Sequence, residues 1–152
     1  MKKFSYKREL IMFVIMVIVG MLFNPMNCLA YSFSDLYLST TLFYGGLLMA
    51  SNMIWAHEIV HYLTMGHFNK KDFVFGIILS LFIVVFLLRG QLFVDEQNWL
   101  LRMIPHHSTA LTTSNRLIEK EKFKKNSRIY RLAKDIIYNQ EREILFMKSM
   151  LK

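Results

Sequence analysis

Three stretches of this chain show almost no alternation of polar and apolar positions. They cover residues of about 10–30, 36–60 and 73–93, and each is close to continuous hydrocarbon. A helix rises about 1.5 Å per residue, so roughly 20 apolar residues cross a bilayer core. The pattern predicts a transmembrane module over 1–93 containing about three helices. Its first run follows the basic stretch MKKFSYKRE and ends near Cys28, Leu29 and Ala30. A cleaved signal peptide has the same order of features, but the length of the run and Pro25 near its end favour a retained helix. In the second run, Gly45 and Gly46 are candidate close-packing points. The third is interrupted only late, by Arg89 and Gln91, and Arg89 can reach an interface on its long stem.

From Val94 onward the apolar positions recur at the helical period. The pattern predicts a two-helix hairpin over 94–152, its first helix running from about Asp95 to Lys122 with a kink at Pro105. The second helix is expected to start at Asn126 as N-cap. Its stripe carries Ile129, Ala133, Ile136, Gln140, Glu143, Ile144, Met147 and Leu151. No strand pattern and no repeat appears, so the fold class is all-α.

Charge changes the picture by assigning sides. The chain has a formal net charge of +8. Lys2, Lys3, Lys7 and Arg8 precede the first run, and Lys70 and Lys71 separate the second from the third. The positive-inside bias places both groups in the cytoplasm and the hairpin on the outer side. The basic residues of 120–134 are not interleaved with aromatics in a nucleic-acid motif, so anionic lipid headgroups are the expected partner. The single cysteine, Cys28, cannot form an internal disulfide.

The hairpin carries the candidate chemistry. Met103 and His107 are four apart and share a helix face, with His106 beside them. Gln140, Glu143 and Met147 follow one another at spacings of three and four on the second helix. An antiparallel hairpin brings these groups together. Thioether with imidazole suits Cu(I), while imidazole with carboxylate suits iron or zinc. The competing interpretation makes the methionines core fillers and the histidines local hydrogen-bonders. A glutamine and a glutamate on an apolar stripe argue for the metal, because burying them unpaired is costly.

The segments RMIPHHSTALTTSNRL and RLAKDIIYNQEREILFMKSML resemble the domain of unknown function 305 (DUF 305) family. Its pattern is similar to Met103, Pro105, His106, His107 and Ala110 on one helix, and Ala133, Ile136, Gln140, Glu143, Ile144 and Met147 on the next. The resemblance covers about 95–152, and LLMASNM, NKK and the 73–93 run resemble a membrane-bound subgroup. It implies a ferritin-like helical architecture, and copper binding through Met and His as in some periplasmic members. It brings no redox centre and no catalytic base.

Where that subgroup is mostly apolar, this chain reads His57-Glu58-Ile59-Val60-His61. Two histidines four apart can bind zinc and the glutamate can activate water. This makes an intramembrane metalloprotease the alternative, with His67 as a third ligand and Asp72 as the nearby carboxylate. The opposing interpretation is a wetted cluster at a helix end. The leading expectation is a membrane-anchored metal-binding module without turnover. Two helices bury too little to stand alone, so the hairpins are expected to pair as a homodimer or to pack on the membrane surface. A structural or interaction protein without metal is the third class.

With three spans, a cysteine placed at 123–127 is expected to react with an impermeant maleimide from the outer side only. Labelling from the cytoplasmic side would overturn that topology.

Overall fold

A computed structural model of the chain describes residues 2–120 and 127–151. The expected helix end at Lys122 and the expected cap at Asn126 lie outside them. Among the described residues every regular element is helical: α1 (Lys2–Leu22), α2 (Pro25–Cys28), a 3-10 turn (Phe33–Asp35), α3 (Thr40–Met65), α4 (Lys70–Phe82), α5 (Glu96–Glu119) and α6 (Arg128–Met150). A π-helical stretch, Ile83–Arg89, continues α4. The chain divides into two compact units. One is formed by the residues up to Leu22 with Thr40–Phe93, and the other by Phe23–Ser39 with the residues from Val94 onward.

In the first unit α3 packs against both α1 and α4. Small residues set how closely they approach. A Cβ added at Gly46 would lie 2.6 Å from the Val17 carbonyl oxygen of α1. One added at Gly76 would lie 2.9 Å from the Trp55 backbone nitrogen of α3. Backbones this close gain dispersion contact where water supplies no driving force, as in membrane bundles. Between α3 and α4, the buried Ser80 hydroxyl donates to Ser51 at 2.9 Å, and Ser51 donates to the Leu48 carbonyl at 2.9 Å.

Two segments, Lys7–Cys28 and Lys70–Arg89, are long and apolar enough to cross a membrane. α3, expected as a third span, is not among them. The reason lies in its sequence: Ser51, Asn52, His57, Glu58 and His61 all fall within the helix and dilute its hydropathy. The first apolar run is also broken. Pro25 disfavours helix at the residue before it, so α1 ends at Leu22. Asn24 then caps α2, accepting from the Met26 N–H at 3.0 Å.

The second unit is built on the hairpin of α5 and α6. Gln97 lies near Met150 and His107 near Glu143, so the helices run antiparallel. Asp95 caps α5 by accepting from the Asn98 N–H at 2.7 Å, and Ser127 caps α6 by accepting from the Tyr130 N–H at 3.1 Å. The core cluster is Leu100, Ile104 and Leu111 of α5 with Ile144 and Met147 of α6. Ile137 packs against it, whereas Ile129 is 56% exposed, so the buried stripe of α6 is rotated slightly from the expected one.

Residues 23–39, which the hydropathy pattern assigns to the transmembrane module, lie as a strap on the hairpin. Asp35 is buried there. Its Oδ2 accepts from the Ser108 hydroxyl at 2.6 Å and its Oδ1 from Lys148 Nζ at 2.5 Å. Ser108 in turn accepts from the Tyr31 N–H at 2.7 Å. The Thr109 hydroxyl donates to the Met26 carbonyl at 3.1 Å, and Tyr37 packs on the core cluster.

Removing one side of a buried pair leaves the other uncompensated. Asp35→Ala is expected to cost about 3 kcal/mol or more, and Ser108→Ala about 1–3 kcal/mol. Lys134→Ala, at an exposed side chain away from this network, should stay within about 0.5 kcal/mol. Denaturation of the full chain in detergent, read by Trp99 fluorescence in a Trp55→Phe background, checks the order.

Candidate functional site

Successive residues on a helix point about 100° apart, so His106 and His107 cannot face the same partner. The structure divides them accordingly. His107 turns toward α6. Its Nδ1 lies 2.8 Å from the Met103 carbonyl oxygen, and its Nε2 lies 2.8 Å from Glu143 Oε2. A carbonyl oxygen can only accept, so Nδ1 carries a proton and donates. That fixes the ring orientation and leaves Nε2 as the atom that meets the carboxylate. Two lone pairs at that distance repel, so a proton lies between the two atoms and the contact is a hydrogen bond. The His107 side chain is only 13% exposed, whereas Glu143 is 54% exposed.

His106 is exposed, with its ring edge-on to that of His107 at a centroid distance of 5.8 Å. Partial desolvation of its ring, then the His107 and Arg102 charges, holds its pKa below the usual imidazole value. Arg102, half-buried on the same helix, is also held below its ordinary value by burial.

Of the other expected ligands, Met147 lies in the buried core cluster and Met103 packs against it. Gln140 is half-buried on α6. The structure thus joins His107 to Glu143 and gathers the two thioethers in one apolar cluster, but it does not bring all six residues to one point. Among the described residues no group of three or more His, Cys, Asp or Glu side chains could hold a metal ion.

The His57–His61 motif lies within α3. The rings of His57 and His61 are 5.9 Å apart, and those of His61 and His67 are 5.6 Å apart. His61 Nδ1 is 3.1 Å from the His67 carbonyl oxygen, to which it donates. Glu58 turns inward instead. It is buried, and its Oε2 accepts the Asn69 N–H at 2.9 Å, tying the α3–α4 connection to the helix. Asp72 accepts from the Asn69 side chain at 2.5 Å. Sequence reasoning missed the Asp35, Ser108 and Lys148 network. Its one signal was Ser108, a hydroxyl on the apolar stripe of Leu100, Ile104 and Leu111.

A family model described as a domain of unknown function (DUF305) matches residues 90–152. An uncharacterised protein of Acanthamoeba polyphaga mimivirus is 37% identical over 142 residues, which span 93% of this chain and 90% of that protein. No solved structure matches the chain. The chain belongs to the DUF305 family, and the match covers the α5–α6 hairpin with its His107–Glu143 contact.

A folded state that holds the His106 pKa down binds fewer protons than the unfolded state. The contribution is fully present above the unfolded value, about 6.5, and is lost as pH falls toward the lowered folded value. The full chain is therefore expected to lose stability between pH 7 and pH 5, and His106→Asn to lose less. Equal losses in melting experiments across that range would contradict this.

Proposed function

We propose that this DUF305 protein is a membrane-anchored metal-binding module, in which the α5–α6 hairpin holds a soft ion, Cu(I), without enzymatic turnover. The observation that carries the reading is the His107 ring. It is oriented by Nδ1–H donation to a main-chain carbonyl, with Nε2 presented to a carboxylate on the facing helix. Metal-binding histidines are held in the same way, with the second ring nitrogen donating to a carbonyl or carboxylate. Met103 and Met147 supply thioethers to the same hairpin, and thioether with imidazole selects Cu(I) over harder ions. Glu143 and Gln140 orient the imidazole or add a ligand.

The donor set of one chain fits the ion in part. His107 and Glu143 converge, the thioethers lie in the adjoining core, and His106 faces outward. A second hairpin pairing as the other half of a four-helix bundle would let His106 serve the mate. The anchor in this reading is α1, α3 and α4 crossing the membrane. α3 crosses despite its polar residues because it packs against both neighbours and satisfies Ser51 and Glu58 internally. The N-terminus is then cytoplasmic and the hairpin outside, facing lipid headgroups. No comparable observation favours the protease, since Glu58, the residue that would activate water, is committed to Asn69.

Titration of the full chain in detergent with Cu(I) against a competing chelator tests the proposal. His107→Ala and the pair Met103→Leu/Met147→Leu are expected to weaken binding by about tenfold or more. His106→Ala should weaken it less. Equal affinity in all variants, or no binding by the wild type, would remove the metal and leave a structural hairpin.

A further inference from the structure

Burial in the strap, residues 23–39, runs opposite to that of a water-facing segment. Asp35 is 4% exposed and Ser39 is buried, while Phe33 is 93% and Leu38 64% exposed. Leu29, Tyr31 and Leu36 are exposed beside them. Scattered exposed leucines are ordinary, but polar groups buried beneath a row of large apolar side chains mark a contact surface. The inward residues are committed to the hairpin, Asp35 to Ser108 and Lys148, and Tyr37 to the core cluster. The outward row cannot turn in without breaking those contacts, so it needs an apolar medium outside.

Two further features say what that medium is. The strap has one charged side chain, Asp35, and it is paired on the inside, so the outer surface carries no charge. Its backbone is also largely self-sufficient. Every N–H from Met26 to Tyr31 and from Ser34 to Leu36 donates to an acceptor within the second unit. A water-facing loop can leave such groups to solvent, whereas a segment in contact with lipid has to satisfy them internally. Lipid also lies at both ends of the strap. It follows the apolar segment Lys7–Cys28 and leads into α3, which both cross the bilayer in the membrane-anchored reading on which this inference rests.

We propose that the strap is an interfacial membrane element, with Leu29, Tyr31, Phe33, Leu36 and Leu38 set into the boundary between headgroups and acyl chains. Tyr31 suits that depth, since tyrosine rings gather at membrane–water interfaces. The inner face grips α5 and α6 through Asp35, so the strap fastens the hairpin to the bilayer surface.

Single-tryptophan variants of the full chain in phosphatidylcholine vesicles, built on Trp55→Phe/Trp99→Phe, test this. Ile15→Trp, at an exposed position of α1, reports the anchor, and Phe33→Trp reports the strap. Phe33→Trp is expected to lose about half of its emission or more to bromines placed high on the acyl chain, and less to bromines near the chain end, as for a side chain roughly 5–10 Å into the boundary. Leu38→Trp repeats the measurement if that variant does not fold. Strap tryptophans that aqueous iodide quenches and brominated lipid does not would leave the strap in water. Shielding from both quenchers would seat a second copy or another protein on it. Either result, with Ile15→Trp quenched by lipid, overturns the proposal and leaves the anchor standing. If lipid quenches neither Ile15→Trp nor the strap, the anchor falls and the proposal falls with it.

Discussion

Asp35 is a carboxylate almost without contact to water, and the second unit is arranged around satisfying it. A buried anion costs several kcal/mol unless it is paired and hydrogen-bonded. Asp35 receives both: a hydroxyl from α5 through Ser108 and an ammonium from the last turn of α6 through Lys148. One side chain thereby links the strap to both helices of the hairpin. Ser108 extends the link by accepting from the Tyr31 backbone, so strap main chain and helix side chain share one network. The apolar cluster of Leu100, Ile104, Leu111, Ile144 and Met147 supplies the adhesion, but adhesion alone does not set which segment lies where. The Asp35 network gives the strap a single register, because any slip would leave a charge and a hydroxyl without partners.

The same rule governs the first unit. Its helices offer few polar groups, and those turned inward are satisfied within the unit. Ser51 and Ser80 meet each other and nearby carbonyls, and Glu58 closes the connection to α4. With polar groups accounted for, approach distance is set by size. Gly46 beneath Val17 and Gly76 beneath Trp55 leave no room for a side chain at the crossings. Glycine, serine and one glutamate thus do here what an oily interface could not, which is to specify which faces meet.

Much of this was legible in the sequence. The change of period at Val94 located the hairpin, because an amphipathic stripe and a continuous apolar run have different signatures. Gly46 and Pro25 were readable as a contact and a break, since each acts through local backbone chemistry. What was not legible depends on long-range placement. The pattern placed the second helix over 36–60 with the histidine motif at its end, whereas α3 begins at Thr40 and runs on to Met65. The strap was read as the end of one span and a polar loop, because nothing local distinguishes a loop from a segment docked on residues 73 positions away. At the candidate site, the spacing of Met103 and His107 and the antiparallel return of α6 placed His107 beside Glu143.

Glu58 and Glu143 show why two similar motifs have different chemical prospects. Both are glutamates near a histidine in a helical setting. Glu58 accepts at Oε2 from a backbone N–H, a neutral donor that cannot leave, so its carboxylate is held on the α3–α4 connection. Glu143 is satisfied by an imidazole nitrogen, which can exchange a proton for a metal ion without breaking any backbone contact. The difference follows from position. Glu58 sits on the inward side of a packed helix beside a chain reversal that needs its donors satisfied. Glu143 sits on the rim of a two-helix hairpin, half in water and opposite a ring already oriented by its other nitrogen. Replaceable partners make a site and irreplaceable ones make a scaffold, which is why the proposed metal belongs to the hairpin and not to the histidines of α3.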